Sequence, residues 1–257
     1  EQSLCNYETC CLAELFLPNI VSKEEMLDVA KLLYRVNKHS LALKCHQSST
    51  QKIVHKNMRM GIGITGILQA PEKMGWCDWV YRQLRDYDKQ YSKQHGWPTS
   101  VKLTTVKPSG TLSLLPGVTS GVHPAYAQYM IRRVRMSSDH SLVRVCSEHG
   151  YPVEFQRKFD GSADYSTVVV EFPFSYPEGT VLAEEMSAID QLEWVRKMQT
   201  VWSDNAVSCT VYYTPEELPS IKEYLSKYYN DNFKSLSFLL RDNHGFDQAP
   251  IEKITKE

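Results

Sequence analysis

The chain has 257 residues, a net charge of −1 and 23% charged residues, so its charge gives no reason to expect nucleic acid or an anionic membrane as partner. Its 42% hydrophobic content is that of a globular protein, its apolar runs are far too short to span a membrane, and no signal peptide opens it. Seven cysteines, at 5, 10, 11, 45, 77, 146 and 209, form no regular framework, which points to reduced thiols and a cytoplasmic location.

The first predicted element is a helix over 22–38. Ser22 and Glu25 form a capping box, and Met26, Val29, Ala30, Leu33 and Val36 follow at helical spacing. Residues 61–66, "GIGITG", read as a short buried strand, and 73–94 as a second helix. A strand is expected at 101–106, ending at Lys107-Pro108-Ser109-Gly110. Beyond it come a strand at 129–136, a helix at 139–149 and a strong strand at 166–174. Ser187 opens a helix that carries Ile189, Leu192, Val195, Met198 and Trp202 on one face. A strand at 205–213, a helix from Thr214-Pro215 to about 229 and a strand at 235–240 complete the order. Strands alternating with helices imply a mostly parallel α/β sheet, with sites at the carboxyl ends of its strands. The turn after 101–106 lies at such an end.

Gly61-Ile-Gly63-Ile-Thr65-Gly66 has the letters of a dinucleotide fingerprint but not its context, a turn that follows a strand and opens a helix. Its glycines read instead as room for close backbone packing. Pro108-Ser109-Gly110-Thr111 has two readings. Free N–H groups beside Ser109, Thr111 and Ser113 suit a phosphate, yet Ser and Thr also cap ordinary helices. Arg132, Arg133 and Arg135 could grip phosphates, or form the solvated face of a strand. The histidines are scattered without metal-ligand spacing, so no metal site is expected.

Three stretches, "EQSLCNYETCCLAELFLPN", "RMGIGITGILQ" and "TTVKPSGTLSLLPGVTSGVHPAY", together resemble the catalytic subunit of ribonucleotide reductase. The similarity is greatest to the monomeric, adenosylcobalamin-dependent (class II) ribonucleoside-triphosphate reductases. "NAVSCTVYYTPEEL" and the closing "NHGFDQAPIEKITKE" fit the same group. The resemblance implies an α/β fold, the C-terminal half of a ten-stranded α/β barrel. Residues 1–257 would then be one part of the catalytic barrel domain, with an N-terminal part and a cysteine tail outside it. The family's catalytic motif is Asn-Pro-Cys-x-Glu, and its last residue would be Glu1. The implied roles are Glu1 as acid/base and Cys10 as redox thiol, with Cys11 the second choice. Pro108, Ser109, Gly110, Thr111, Leu112 and Ser113 would hold substrate phosphate.

The resemblance also implies reduction of ribonucleotides, as triphosphates in keeping with the group, by thiyl-radical chemistry. Adenosylcobalamin contacts would lie mostly outside this chain, and thioredoxin or a similar reductant would act through the tail. Two rivals stand beside this reading: a class I-type diphosphate reductase large subunit, and an inactive nucleotide-binding fragment.

Overall fold

A computed structural model describes residues 2–241 and 247–256. In chain order the helices and strands are β1 (Cys11–Phe16), α1 (Lys23–Ala42), α2 (Ser48–Asn57), β2 (Met60–Thr65), α3 (Cys77–His95), β3 (Tyr129–Ser137) and α4 (Ser141–Glu148). There follow β4 (Val153–Arg157), β5 (Ala163–Ser175), α5 (Ala188–Val201), β6 (Thr210–Tyr213), α6 (Leu218–Asn232), β7 (Ser237–Leu240) and β8 (Ile251–Lys253). They divide into two compact units: Glu1–Pro124 with Ala183–Arg241, and Ala125–Leu182 with Asp242–Glu257.

In the first unit, β1 and β2 pair in parallel, Cys11 opposite Met60 and Phe16 opposite Thr65. The segment 102–107 lies next. Ile62 N–H donates to Leu103 O at 2.8 Å, and Thr105 N–H to Ile62 O at 3.1 Å. Val106 then bridges Val207 in parallel, and β6 pairs in parallel with β7. The order is therefore β1, β2, 102–107, the 205–213 segment and β7. Four regular strands and the irregular 102–107 segment thus run parallel with helical crossovers, the half-barrel that the resemblance implies.

The strand expected at 101–106 keeps its place but is reduced to isolated bridges at Thr104 and Val106. Side chains take its ladder positions. Leu103 N–H donates to Asp204 Oδ2 at 2.9 Å, Asn205 Nδ2 donates to Thr104 O at 2.7 Å, and the Trp202 indole donates to Thr105 O at 3.1 Å. For the same reason the strand expected over 205–213 is regular only at Thr210–Tyr213.

Ser22 caps α1, its hydroxyl accepting Glu25 N–H at 3.1 Å, while the Glu25 carboxylate accepts Val21 N–H at 2.7 Å. The helix outruns its expected end because its buried stripe continues from Met26, Ala30 and Tyr34 through Lys38 to Leu41. Lys38 is fully buried. Its ammonium donates to Asp88 Oδ1 on α3 (3.0 Å), Pro98 O (2.8 Å) and Ser100 Oγ (3.0 Å). A lysine so completely satisfied behaves as a core residue.

The second unit corrects the expectation of a mostly parallel sheet. Its four strands run β4-β5-β3-β8, and the three pairings are antiparallel. Lys158 N–H donates to Ser162 O at 2.9 Å, and Gly161 has φ +81°, so β4 and β5 are joined by a tight turn. Such a turn permits only antiparallel pairing. Two arginines of β3 make cross-strand contacts, and Arg135 is exposed, in keeping with a solvated face. Arg133 reaches Glu171 and Glu252 on the flanking strands, each at 2.6 Å, and the Arg135 side chain meets Gln156 and the Gln248 carbonyl.

Gly61 and Gly63 of "GIGITG" are packing positions, as expected, whereas Gly66 has φ +76° and follows the end of β2. A Cβ on Gly61 would stand 2.4 Å from Gln2 Nε2 and 2.7 Å from Leu12 Cδ2, and one on Gly63 would stand 2.4 Å from Glu14 Oε2. Gly63→Ala would push aside a carboxylate that is itself fully buried and ion-paired. Overpacking of this kind costs about 1–3 kcal/mol. A denaturant midpoint unchanged in that variant would show that Glu14 has room to move.

Candidate nucleotide site

β1, β2 and the 102–107 segment present one face lined by Leu12, Glu14, Gly61, Gly63 and Thr105. The glycines make room on that face for the side chains of Gln2, Leu12 and Glu14, and Lys107 Nζ reaches Glu14 Oε2 at 2.9 Å. Lys107, at the start of the turn, is thus committed to a buried carboxylate. Sequence reasoning missed Glu14. The signal available was a charged residue inside an otherwise apolar strand, "CLAELF".

Strand alternation separates the two adjacent cysteines. Continued one residue beyond β1, it sets Cys10 on the side of Leu12 and Glu14. Cys11 falls on the opposite side with Ala13 and Leu15, and packs against the hydrophobic core. Burial pushes the Cys11 thiol above its usual range, and the neighbouring Cys10 adds to the shift. A thiol raised in this way is a poor source of thiolate. The first candidate, Glu1, lies outside the described residues.

The turn begins where the 102–107 segment ends. Ser109 has φ +42°, an uncommon conformation for a residue with a side chain. Its hydroxyl is buried with no hydrogen-bond partner among the described residues. Pro108, Gly110, Thr111 and Leu112 are exposed. Ser113 is buried, and its hydroxyl faces Ser120 Oγ at 3.3 Å, so it shapes the turn from behind. The restart after the turn is a single 3₁₀ turn, Leu112–Leu114. A helix macrodipole therefore contributes little here, and any anion binding rests on local amides and hydroxyls.

The loop closes tightly on itself. Gly121 has φ +52°, and a Cβ there would stand 2.2 Å from Lys107 O. The end of β2 holds the returning strand: Thr65 Oγ1 donates to Thr119 O at 3.2 Å and accepts Gly121 N–H at 2.5 Å. Gly66 N–H adds a bond to Thr119 O at 2.9 Å, and Ile67 N–H one to Gly121 O at 3.2 Å. Thus "GIGIT" and the turn, far apart in sequence, meet at one end of the parallel strands, where α/β sheets place their sites.

Residues 72–239 match the family described as ribonucleotide reductase, barrel domain. The chain belongs to that family. Among curated relatives, a probable adenosylcobalamin-dependent ribonucleoside-triphosphate reductase of Dictyostelium discoideum is 35% identical over 264 residues, covering 99% of this chain and 34% of the relative. The adenosylcobalamin-dependent ribonucleoside-triphosphate reductase of Euglena gracilis is 35% identical over 267 residues, covering 100% of this chain and 36% of the relative. A crystal structure of a B-12 dependent (class II) ribonucleotide reductase superposes with a TM-score of 0.84 at 29% identity, covering 99% of this chain and 40% of that one. The chain thus spans roughly a third of the length of these curated relatives. No helix among the described residues is long and apolar enough to cross a membrane.

For a ribonucleotide reductase barrel segment, the residues that could meet a corrin are a separate question. A cavity of about 910 Å³ in the second unit lies among Ser138, His140, Arg144, Glu148, Phe155 and Tyr165. Its mixed acidic and basic rim does not mark a corrin site.

Proposed function

We propose that this chain is the part of an adenosylcobalamin-dependent ribonucleoside-triphosphate reductase that holds substrate phosphate and supplies a redox thiol. The observation that carries the reading is the Pro108–Ser113 turn, which ends a parallel strand with a buried, uncompensated Ser109 hydroxyl. A hydroxyl in that state costs about 1–3 kcal/mol until a polar partner reaches it, and a phosphate oxygen is such a partner. The amides of Ser109, Thr111 and Leu112 make no hydrogen bond among the described residues and add donors beside it.

Adenosylcobalamin, bound mostly through other parts of the enzyme, would supply the radical equivalent. A thiyl radical upstream of Glu1 would take the 3′-hydrogen of the ribose, and Glu1 would accept the 3′-hydroxyl proton. The 2′-hydroxyl would leave as water, protonated from a thiol pair that includes Cys10. Two thiols would become one disulfide as the sugar is reduced. Thioredoxin or a similar dithiol would reset the pair by exchange through a mixed disulfide. The opposite orientations of Cys10 and Cys11 favour Cys10 for this part, because Cys11 is occupied in the core.

Ser109→Ala in the full-length enzyme is expected to weaken ribonucleoside-triphosphate binding about tenfold. Binding of the nucleoside without phosphates should not change. Equal weakening of both ligands would remove phosphate from the assignment.

A further inference from the structure

His123 follows the turn segment and is held at both ring nitrogens. Nδ1 lies 2.9 Å from Ser120 O, where it can only donate, and Nε2 accepts Thr210 N–H at 3.0 Å. Both bonds together require the neutral ring with its proton on Nδ1. Ser120 meets Ser113 hydroxyl to hydroxyl, and Ser113 N–H returns to Ser109 O at 3.0 Å. A continuous line of polar contacts therefore runs from the first residue of β6, through the imidazole, to the residue at the apex of the turn. A second proton on the ring would point an N–H at the Thr210 N–H, two donors facing each other.

We propose that His123 is the positioning residue of the phosphate turn, and that the turn keeps its anion-binding shape only while this ring is neutral. The inference rests on the phosphate reading of the turn.

The surroundings fit that role. Burial pulls His123 below the usual imidazole value, and the Ser120 carbonyl opposes the shift only in part. Among the described residues no charged side chain contributes to it. On the β6 side the neighbouring titratable group is Cys209, whose thiol burial pushes up to about 12, so it stays protonated. On the turn side it is Lys107, paired with Glu14 at 2.9 Å. The folded ring titrates below the unfolded value of 6.5. Between the two values the unfolded segment binds more protons. Docking is therefore complete above 6.5 and is lost as pH falls through the folded value.

The test uses the full-length enzyme with a ribonucleoside triphosphate and the matching nucleoside, titrated between about pH 5.5 and 8, a window around the ordinary histidine value. His123→Gln should bind the triphosphate about tenfold more weakly at the alkaline end and show a shallower pH dependence than the native enzyme. The ligand's own phosphate ionisation is common to both proteins and cancels in that comparison. Nucleoside affinity should be unchanged. Equal loss of both ligands, or native triphosphate binding by the variant at every pH, overturns the proposal. Hydrogen exchange at the Thr210 amide of the native enzyme gives a second reading that needs no substitution. Protection, corrected for intrinsic exchange, should fall with pH at Thr210 and persist in β2; constant protection also overturns it. If Ser109→Ala leaves triphosphate binding intact, the phosphate reading fails and this inference with it. If only the His123 variant is silent, the phosphate reading stands alone.

Discussion

Cys10→Ser in the full-length enzyme is expected to lower steady-state turnover by at least about 100-fold, since on the proposed role it would remove both a proton donor and half of a dithiol. Exchange of the substrate's 3′-hydrogen should persist, because that step belongs to another residue. The reason for choosing Cys10 is directional. β1 pairs with β2 in a register that puts Leu12 opposite Gly61 and Glu14 opposite Gly63. The same alternation carries Cys10 to the side of β1 that bears Leu12 and Glu14. Cys11→Ser should act differently, through packing, with a modest loss of stability and activity retained. If Cys11→Ser stops turnover and Cys10→Ser does not, the two roles are reversed. If neither does, this chain supplies no redox thiol.

The largest expected stability loss is at Asp88. Its Oδ1 accepts from Lys38 Nζ at 3.0 Å and Tyr34 OH at 2.7 Å, and its Oδ2 accepts Ser100 N–H at 2.9 Å. Asp88→Ala leaves the Lys38 ammonium buried with only neutral partners. Breaking a buried pair from one side costs about 3–5 kcal/mol, a large share of an ordinary domain's stability. Burial already pulls the Lys38 amine below its usual value, and Asp88 is what opposes that pull. In the variant, the folded state binds fewer protons than the unfolded state between the lowered Lys38 value and 10.5. Its stability should therefore rise with pH across that alkaline range. A denaturant midpoint within error of the native protein would show that the ion pair is dispensable. The consequence reaches the candidate site as well, because Ser100 anchors the start of the segment that ends in the Pro108–Ser113 turn.

The sequence by itself determined the order of most helices and of the strands between them, though not β1, α2, β4 or β8, and the half-barrel came from the family resemblance. Apolar spacing located α1, α3 and α5, since a helix one face of which is buried must repeat with the helical period. Capping residues marked the starts of α1 and α5, because Ser22 and Ser187 satisfy amides that are next to them in the chain. Gly61 and Gly63 were legible as packing positions for a similar reason: a short buried strand leaves no solvent to explain them.

Only the tertiary structure decided what depends on residues distant in sequence. The segment 101–106 has strand composition, yet Trp202, Asp204 and Asn205 occupy its hydrogen-bonding groups. Lys38 looks like a solvent-facing break in an apolar stripe until Asp88, Pro98 and Ser100 are brought around it. Lys107 looks free to meet a phosphate until Glu14 arrives from a neighbouring strand. That Cys10 and Cys11 face opposite ways followed from the pairing of β1 on β2. His123 became meaningful when its ring was seen to join Ser120 to Thr210. Local sequence sets backbone preference and periodicity, whereas partners for buried polar groups come from anywhere in the chain, and their identity follows only from packing.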